Sequence, residues 1–120
     1  MEKYLLGLFE GGTPPDEIMK SAMLRVEDAT RQNPLTSKCN ILILNLDHLA
    51  RTTMLLNDVC YQRNFELEMW PWVLRYGIWV FKDGDVDHTA CDGGWVNWSM
   101  SGRFERSGNG NGVVRFIPLD

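Results

Sequence analysis

Trp72-Val-Leu-Arg-Tyr-Gly-Ile-Trp-Val-Phe-Lys-Asp-Gly-Asp-Val-Asp-His88 decides how the rest of the chain is read. In 72–81 the even positions (Trp72, Leu74, Tyr76, Ile78, Val80) fall on one face of a strand. Val73, Arg75, Gly77, Trp79 and Phe81 fall on the other. Both faces are largely apolar, so the spacing predicts a central strand covered on both sides. Lys82-Asp83-Gly84-Asp85 then carries the Asp-Gly signal of a turn.

On the N-terminal side, Phe65, Leu67 and Met69 alternate with Glu66 and Glu68, as in a half-buried strand. Pro71 cannot donate to a ladder and marks an edge or a bend. On the C-terminal side, Val96, Trp98 and Met100 alternate with Trp95, Asn97 and Ser99, and Gly102 permits a bend before Arg103-Phe104-Glu105. Ser107–Gly112 is turn chemistry, and Val113–Ile117 returns as the second arm of a hairpin.

The first half reads as helical. Thr13 suits an N-cap, Pro14 the first helical position, and Asp16 and Glu17 the positive end of the helix. Ile18, Ala22, Val26 and Ala29 form a stripe that Met19 and Met23 widen, and Asn33-Pro34 stops the helix. Two readings fit 35–62. Either a strand over 40–45 (Ile41-Leu-Ile-Leu44) precedes a helix over 47–62, or one helix runs from a Thr36/Ser37 cap to Gln62. Asn40, Asn45 and the β-branched isoleucines count against the long helix. The brief Asn33-Pro34-Leu35 link favours it and tips the reading slightly toward the long helix. Leu46, Leu49, Thr53, Leu56 and Cys60 sit at helical spacing, so 47–62 is expected to be helical on both readings. The fold class expected is α+β: N-terminal helices packed on a C-terminal, mostly antiparallel sheet of about four or five strands, in a single domain spanning 1–120.

The 120 residues carry a net charge of -4, with six Lys/Arg against eight Asp/Glu in each half. No basic cluster exists to draw phosphate, which argues against direct nucleic-acid binding. No apolar run approaches the roughly 18 residues of a membrane span, so no membrane is expected. Cys39, Cys60 and Cys91 are odd in number and widely spaced, not a disulfide framework. The N-terminus lacks the pattern of a signal peptide, and a reducing cytoplasm is the expected location.

All five tryptophans fall between Trp70 and Trp98. Trp72 and Trp79 read as core. Trp95, beside Asn97 and Ser99, is the candidate for an exposed anchor, because Trp, Tyr and Arg are enriched at binding hot spots. Asp83, Asp85 and Asp87 have the 1-3-5 spacing of a calcium loop, but His88 occupies the position of the required Gly and Gly94 that of the bidentate Glu. A solvated hairpin loop is the expectation there. His88, Cys91 and Asp92 (or Asp87) are close enough in sequence for a nucleophile-base set or a shared metal. A structural zinc would still need the distant Cys39, Cys60 or His48. Gly11-Gly12-Thr13 matches no phosphate-binding fingerprint.

No catalytic set, metal site or cofactor is therefore expected. The chain reads as a small protein-binding module, an inhibitor, immunity or adaptor protein of the kind phages and mobile elements encode, by analogy. Its expected contact surface is Trp95, Asn97, Asp85, Asp87, His88, Asp92, Arg103 and Arg106. The alternatives are an enzyme using the His/Cys/Asp cluster of 85–92, or a small-molecule binder that stacks its ligand on a Trp.

Overall fold

The computed structural model describes residues 15–69, 72–88, 98–106 and 113–119. Helix α1 (Pro15–Gln32) is followed by strand β1 (Asn40–Asn45), a 3-10 helix (Leu46–Arg51), and strands β2 (Thr53–Asn57) and β3 (Tyr61–Met69). Strands β4 (Trp72–Phe81), β5 (Asp83–Asp87), β6 (Trp98–Ser101), β7 (Phe104–Arg106) and β8 (Val113–Phe116) complete the order. The strands form two four-stranded antiparallel sheets, β3-β4-β1-β6 and β2-β5-β8-β7.

This overturns the expected α+β arrangement of helices on one sheet of four or five strands. Among the described residues the chain has one α-helix and eight strands, and is mostly β. The error lies in 47–62, where a short 3-10 helix, strand β2 and the start of β3 stand in place of one α-helix. Thr53, Leu55 and Asn57 point outward while Met54 and Leu56 pack inward, a period of two. The residues that mimicked a helical stripe have unrelated settings: Leu49, Thr53 and Cys60 are exposed, and only Leu56 reaches the core. Asp58 adopts φ 55° in the link between β2 and β3, a left-handed conformation that Asp tolerates. The strand alternative for 40–45 is the one the chain adopts.

β1 is buried along its whole length because apolar layers lie on both sides of it. Ile41 and Ile43 face one side with Tyr76, Ile78 and Val80, against Ala22, Met23 and Val26 of α1. Leu42 and Leu44 face the other with Phe81, Val86, Trp98, Val114 and Phe116, in the core between the sheets. Each such Leu or Ile contributes about 1.5–3 kcal/mol by burial. β4 shows the two-sided covering read from its sequence only over Tyr76–Phe81, with Trp79 and Phe81 in the inter-sheet core and Tyr76, Ile78 and Val80 beneath the helix; Val73 and Arg75 are exposed. The helix stops at Gln32, as Asn33-Pro34 requires. Ala29, placed on the stripe by its spacing, is exposed, and Thr30 is buried instead.

The chain passes twice from the first sheet to the second at one corner. Lys82 alone separates β4 from β5, and Gly102-Arg103 alone separates β6 from β7. The fully buried Asn40 joins the two crossings. Its Nδ2 donates to the carbonyls of Lys82 (2.8 Å) and Ile117 (3.0 Å), and its Oδ1 accepts from the Arg103 amide (2.7 Å). Gly102 has φ +132°, and a Cβ there would lie 2.1 Å from Asn40 Oδ1, so the crossing requires glycine.

Candidate functional site

The Asp-Gly turn expected at 82–85, and the solvated hairpin loop expected around it, are both replaced by strand. Asp83–Asp87 is β5, an inner strand of the second sheet between β2 and β8. Gly84 explains why the turn signal misleads. With φ +148°, it lets β2 approach so closely that a Cβ would sit 2.3 Å from the Leu55 carbonyl oxygen. Val86 anchors the strand in the core at 1% exposure. The alternation that suggested calcium ligands therefore places Asp83, Asp85 and Asp87 in one row on the outward face, about 7 Å apart from one to the next.

Register completes that face. Leu55 lies opposite Asp85, Asp85 opposite Arg115, and Arg115 opposite Glu105, a four-strand row that reads apolar, acidic, basic, acidic. Directly opposed side chains in such a row are about 4.5–5.5 Å apart at Cβ. Leu55 is 69% exposed at its end. Asp85 Oδ1 meets Arg115 Nε at 3.1 Å, an open ion pair worth about 0.2–1 kcal/mol. Asp83 accepts from Asn57 Nδ2 at 2.6 Å. Among the described residues, the strand positions of this face hold four carboxylates (Asp83, Asp85, Asp87, Glu105) and one cation, Arg115. The described residues contain no group of three or more side chains placed to hold a metal ion.

The expected contact residues do not gather on one surface. Asp85 and Asp87 belong to the acidic face. Arg103 stands at the sheet corner, and Arg106, exposed at the end of β7, lies off the acidic face with its guanidinium 5.8 Å from the Trp98 ring centre. His88 is no surface residue: it has 0% exposure and stacks on Trp98 with ring centres 4.4 Å apart. Trp95, Asn97 and Asp92, like Cys91 and the Gly11–Thr13 turn, lie outside the described residues. Leu55, Arg115 and Glu105 were not foreseen as partners of Asp85. The sequence carries no clear signal for them: Met54-Leu55-Leu56 is apolar without a break, and the period of two in Thr53–Asn57 emerges only in the burial.

On the opposite side of the molecule, α1 and the first sheet enclose an open, mainly apolar cleft of about 360 Å3. Val26, Ala29, Leu35, Cys60, Tyr61 and Val80 are among the residues that line it. Leu35 stands at its rim, 88% exposed. Deeper in the same layer Tyr76 stacks on Phe65, 5.4 Å between ring centres. Burial, aided by the negative charge of Asp47, pushes its phenol up to about 12.

No protein-family model and no solved structure matches the chain. A stretch of 36 residues is 50% identical to the stress response protein YvgO of Bacillus subtilis, covering 30% of this chain and 22% of that protein. The chain thus matches under a quarter of that relative's length. Among the described residues no helix is long and apolar enough to cross a membrane.

Proposed function

We propose that the protein is a binding module that acts by occupying a basic protein partner, through the outward face of the sheet β2-β5-β8-β7. The observation that carries this reading is the four-to-one excess of carboxylates over cations around the exposed Leu55. Like charges in neighbouring rows repel by a few tenths of a kcal/mol each in water, about 0.6 kcal/mol at 7 Å. A partner bearing Lys and Arg relieves that repulsion and is steered to the face over long range. Leu55, exposed beside them, adds apolar area that a partner can bury. Inhibitor, immunity and adaptor roles all share this mode of action.

A cytoplasmic site of action is part of the proposal, supported by Cys39 and Cys60 being free thiols. A stress-response setting, the only attribute in the relative's name, is compatible with it and adds no partner.

The test is affinity capture of partners from host lysate with wild type, the double variant Asp85→Lys/Asp87→Lys, and the control Glu66→Lys. Glu66 makes an exposed ion pair with Arg75 on the other sheet. The expected result is a basic partner held by wild type and the control, lost by the double variant, and weakened at least tenfold between about 0.05 and 0.5 M salt. Capture that survives the double variant and high salt would refute the proposal.

A further inference from the structure

The sequence places Cys39 and Cys60 21 positions apart, in different elements, and gives no reason to pair them. The fold brings their sulfurs to 3.9 Å. Cys39 immediately precedes β1, and Cys60 immediately precedes β3. Arg31, in the last turn of α1, donates to the carbonyls of Cys39 (2.6 Å) and Ser37 (3.1 Å), which fixes the segment that carries the first thiol. Cys60 follows the exposed Asp58-Val59 link. Its amide is held to the Val80 carbonyl at 2.9 Å, and its sulfur lies 3.4 Å from the same oxygen. One thiol is thus held and half-buried, while the other is exposed on the wall of the cleft.

We propose that Cys39 and Cys60 form a redox-active dithiol site, whose substrates are low-molecular-weight disulfides of the glutathione type and whose product is a reversible Cys39–Cys60 bridge. A disulfide bond is about 2.0 Å long, so the sulfurs must close roughly 1.9 Å from their 3.9 Å separation. Rotation of the Cys60 side chain, with a small shift of the exposed link before it, supplies this while the core strands stay in place.

The order of steps follows from exposure. Cys60, as the thiolate, attacks one sulfur of the small disulfide RSSR; the Cys60–SR bond forms and RS⁻ leaves, taking a proton from solvent. Cys39 then loses its proton and attacks the Cys60 sulfur, expelling the second RS⁻, which is protonated in turn. The two protein thiols lose two electrons in all, and RSSR gains them to become two RSH. Cys39 suits the resolving role. Burial first, then the hydrogen bond and charge of Cys60, raise its thiol above the ordinary value, with Arg31 opposing. Half-buried and with its thiol raised, it is poorly placed to attack a disulfide arriving from solvent and acts second, on the adjacent sulfur. Because Cys60 lines the cleft, the bridge also withdraws part of one wall.

The experiment incubates native protein with oxidised glutathione and maps its peptides under non-reducing conditions, in wild type and in a Cys91→Ser variant that excludes the third thiol. The expected product is a Cys39–Cys60 cross-linked peptide pair and a whole-protein mass lower by two hydrogens, both reversed by dithiothreitol. Closing a loop of this length should also raise the melting temperature by on the order of 10 °C, a shift absent from Cys60→Ser. Cys60 sits at the surface, so that variant keeps the fold. A product that stops as a glutathione adduct on Cys60, or a bridge that forms in urea and not in native buffer, would overturn the proposal.

Discussion

Asn40 ties both crossings between the sheets through its side-chain amide. It tests whether the two sheets are held by their shared core alone or also by the corner where the chain crosses between them. Asn40→Ala removes three hydrogen bonds at once: those to the Lys82 and Ile117 carbonyls and that from the Arg103 amide, at 2.8, 3.0 and 2.7 Å. At about 1 kcal/mol net for each bond, the loss is about 3 kcal/mol. The stranded carbonyls and amide raise this figure, and water entering beside the exposed Lys82 and Arg103 lowers it. For a domain of ordinary stability, about 5–15 kcal/mol, that is a large fraction.

Urea unfolding followed by tryptophan fluorescence measures the effect. With an m-value of about 1.5 kcal/mol/M the midpoint should fall by about 2 M, with the slope unchanged. Gln62→Ala, on an exposed position of β3, should stay within about 0.5 kcal/mol. Asn40→Asp sharpens the test, because it keeps the shape and the acceptor for Arg103 but turns an oxygen toward two carbonyls. At neutral pH it should be worse than Asn40→Ala, and it should recover on acidification, as the carboxyl becomes a donor to one of them. A loss below about 1 kcal/mol for Asn40→Ala, or an Asn40→Asp protein as stable as wild type, would refute the role of the corner.

Gly84→Ala should destabilise by about 1–3 kcal/mol, because φ +148° disfavours any side chain and the Cβ would strike the Leu55 backbone. Hydrogen exchange should show the loosening in β2 before β1. Tyr76, with its phenol raised to about 12, binds its proton more tightly folded than unfolded. Its contribution to stability is therefore complete below about pH 10 and lost as pH rises toward 12. Absorbance at 295 nm should show one of the three tyrosines ionising late, together with base unfolding. An early, reversible titration of all three would contradict the burial. Asp85→Lys/Asp87→Lys should abolish capture of a basic partner without a stability loss above about 1 kcal/mol, since both side chains are exposed.

The parts of the fold that were legible are those where local pattern and tertiary environment agree. β4 was readable because the run Tyr76–Phe81, apolar on both faces, has few other ways to be buried, and the β7–β8 hairpin because turn residues separate two arms. The 47–62 segment failed because five residues at spacings of three and four make a helical stripe on paper. The competing strand is only five residues long, and the unbroken apolar run Met54-Leu55-Leu56 hides its period of two. Its meaning depends on β5, which lies 26 or more positions away and was itself read as a turn. The two errors supported each other: without β5 there is no partner for β2, and without β2 there is no close neighbour for Gly84. The acidic face was lost with them, since Leu55, Arg115 and Glu105 meet Asp85 only across strands.

The two asparagines that bracket the apolar run of β1 show what a finer reading would use. In the sequence Asn40 and Asn45 counted as weak evidence against a long helix, through propensity alone. In the fold each is buried and each ends the strand by a specific bond. Asn45 accepts from the Asp47 amide at 2.9 Å to start the 3-10 helix, and Asn40 fastens both crossings between the sheets. A buried amide side chain costs several kcal/mol unless its bonds are made. Polar residues closing a fully apolar strand are therefore tolerated only where the backbone beside them changes direction and has free groups to offer. The same apolar run inside a helix would have its own backbone groups already paired, and Asn40 and Asn45 would have had nothing buried to bind. Taken that way, the pair argues for a strand ended at both sides by turns in the chain, which is the structure β1 adopts.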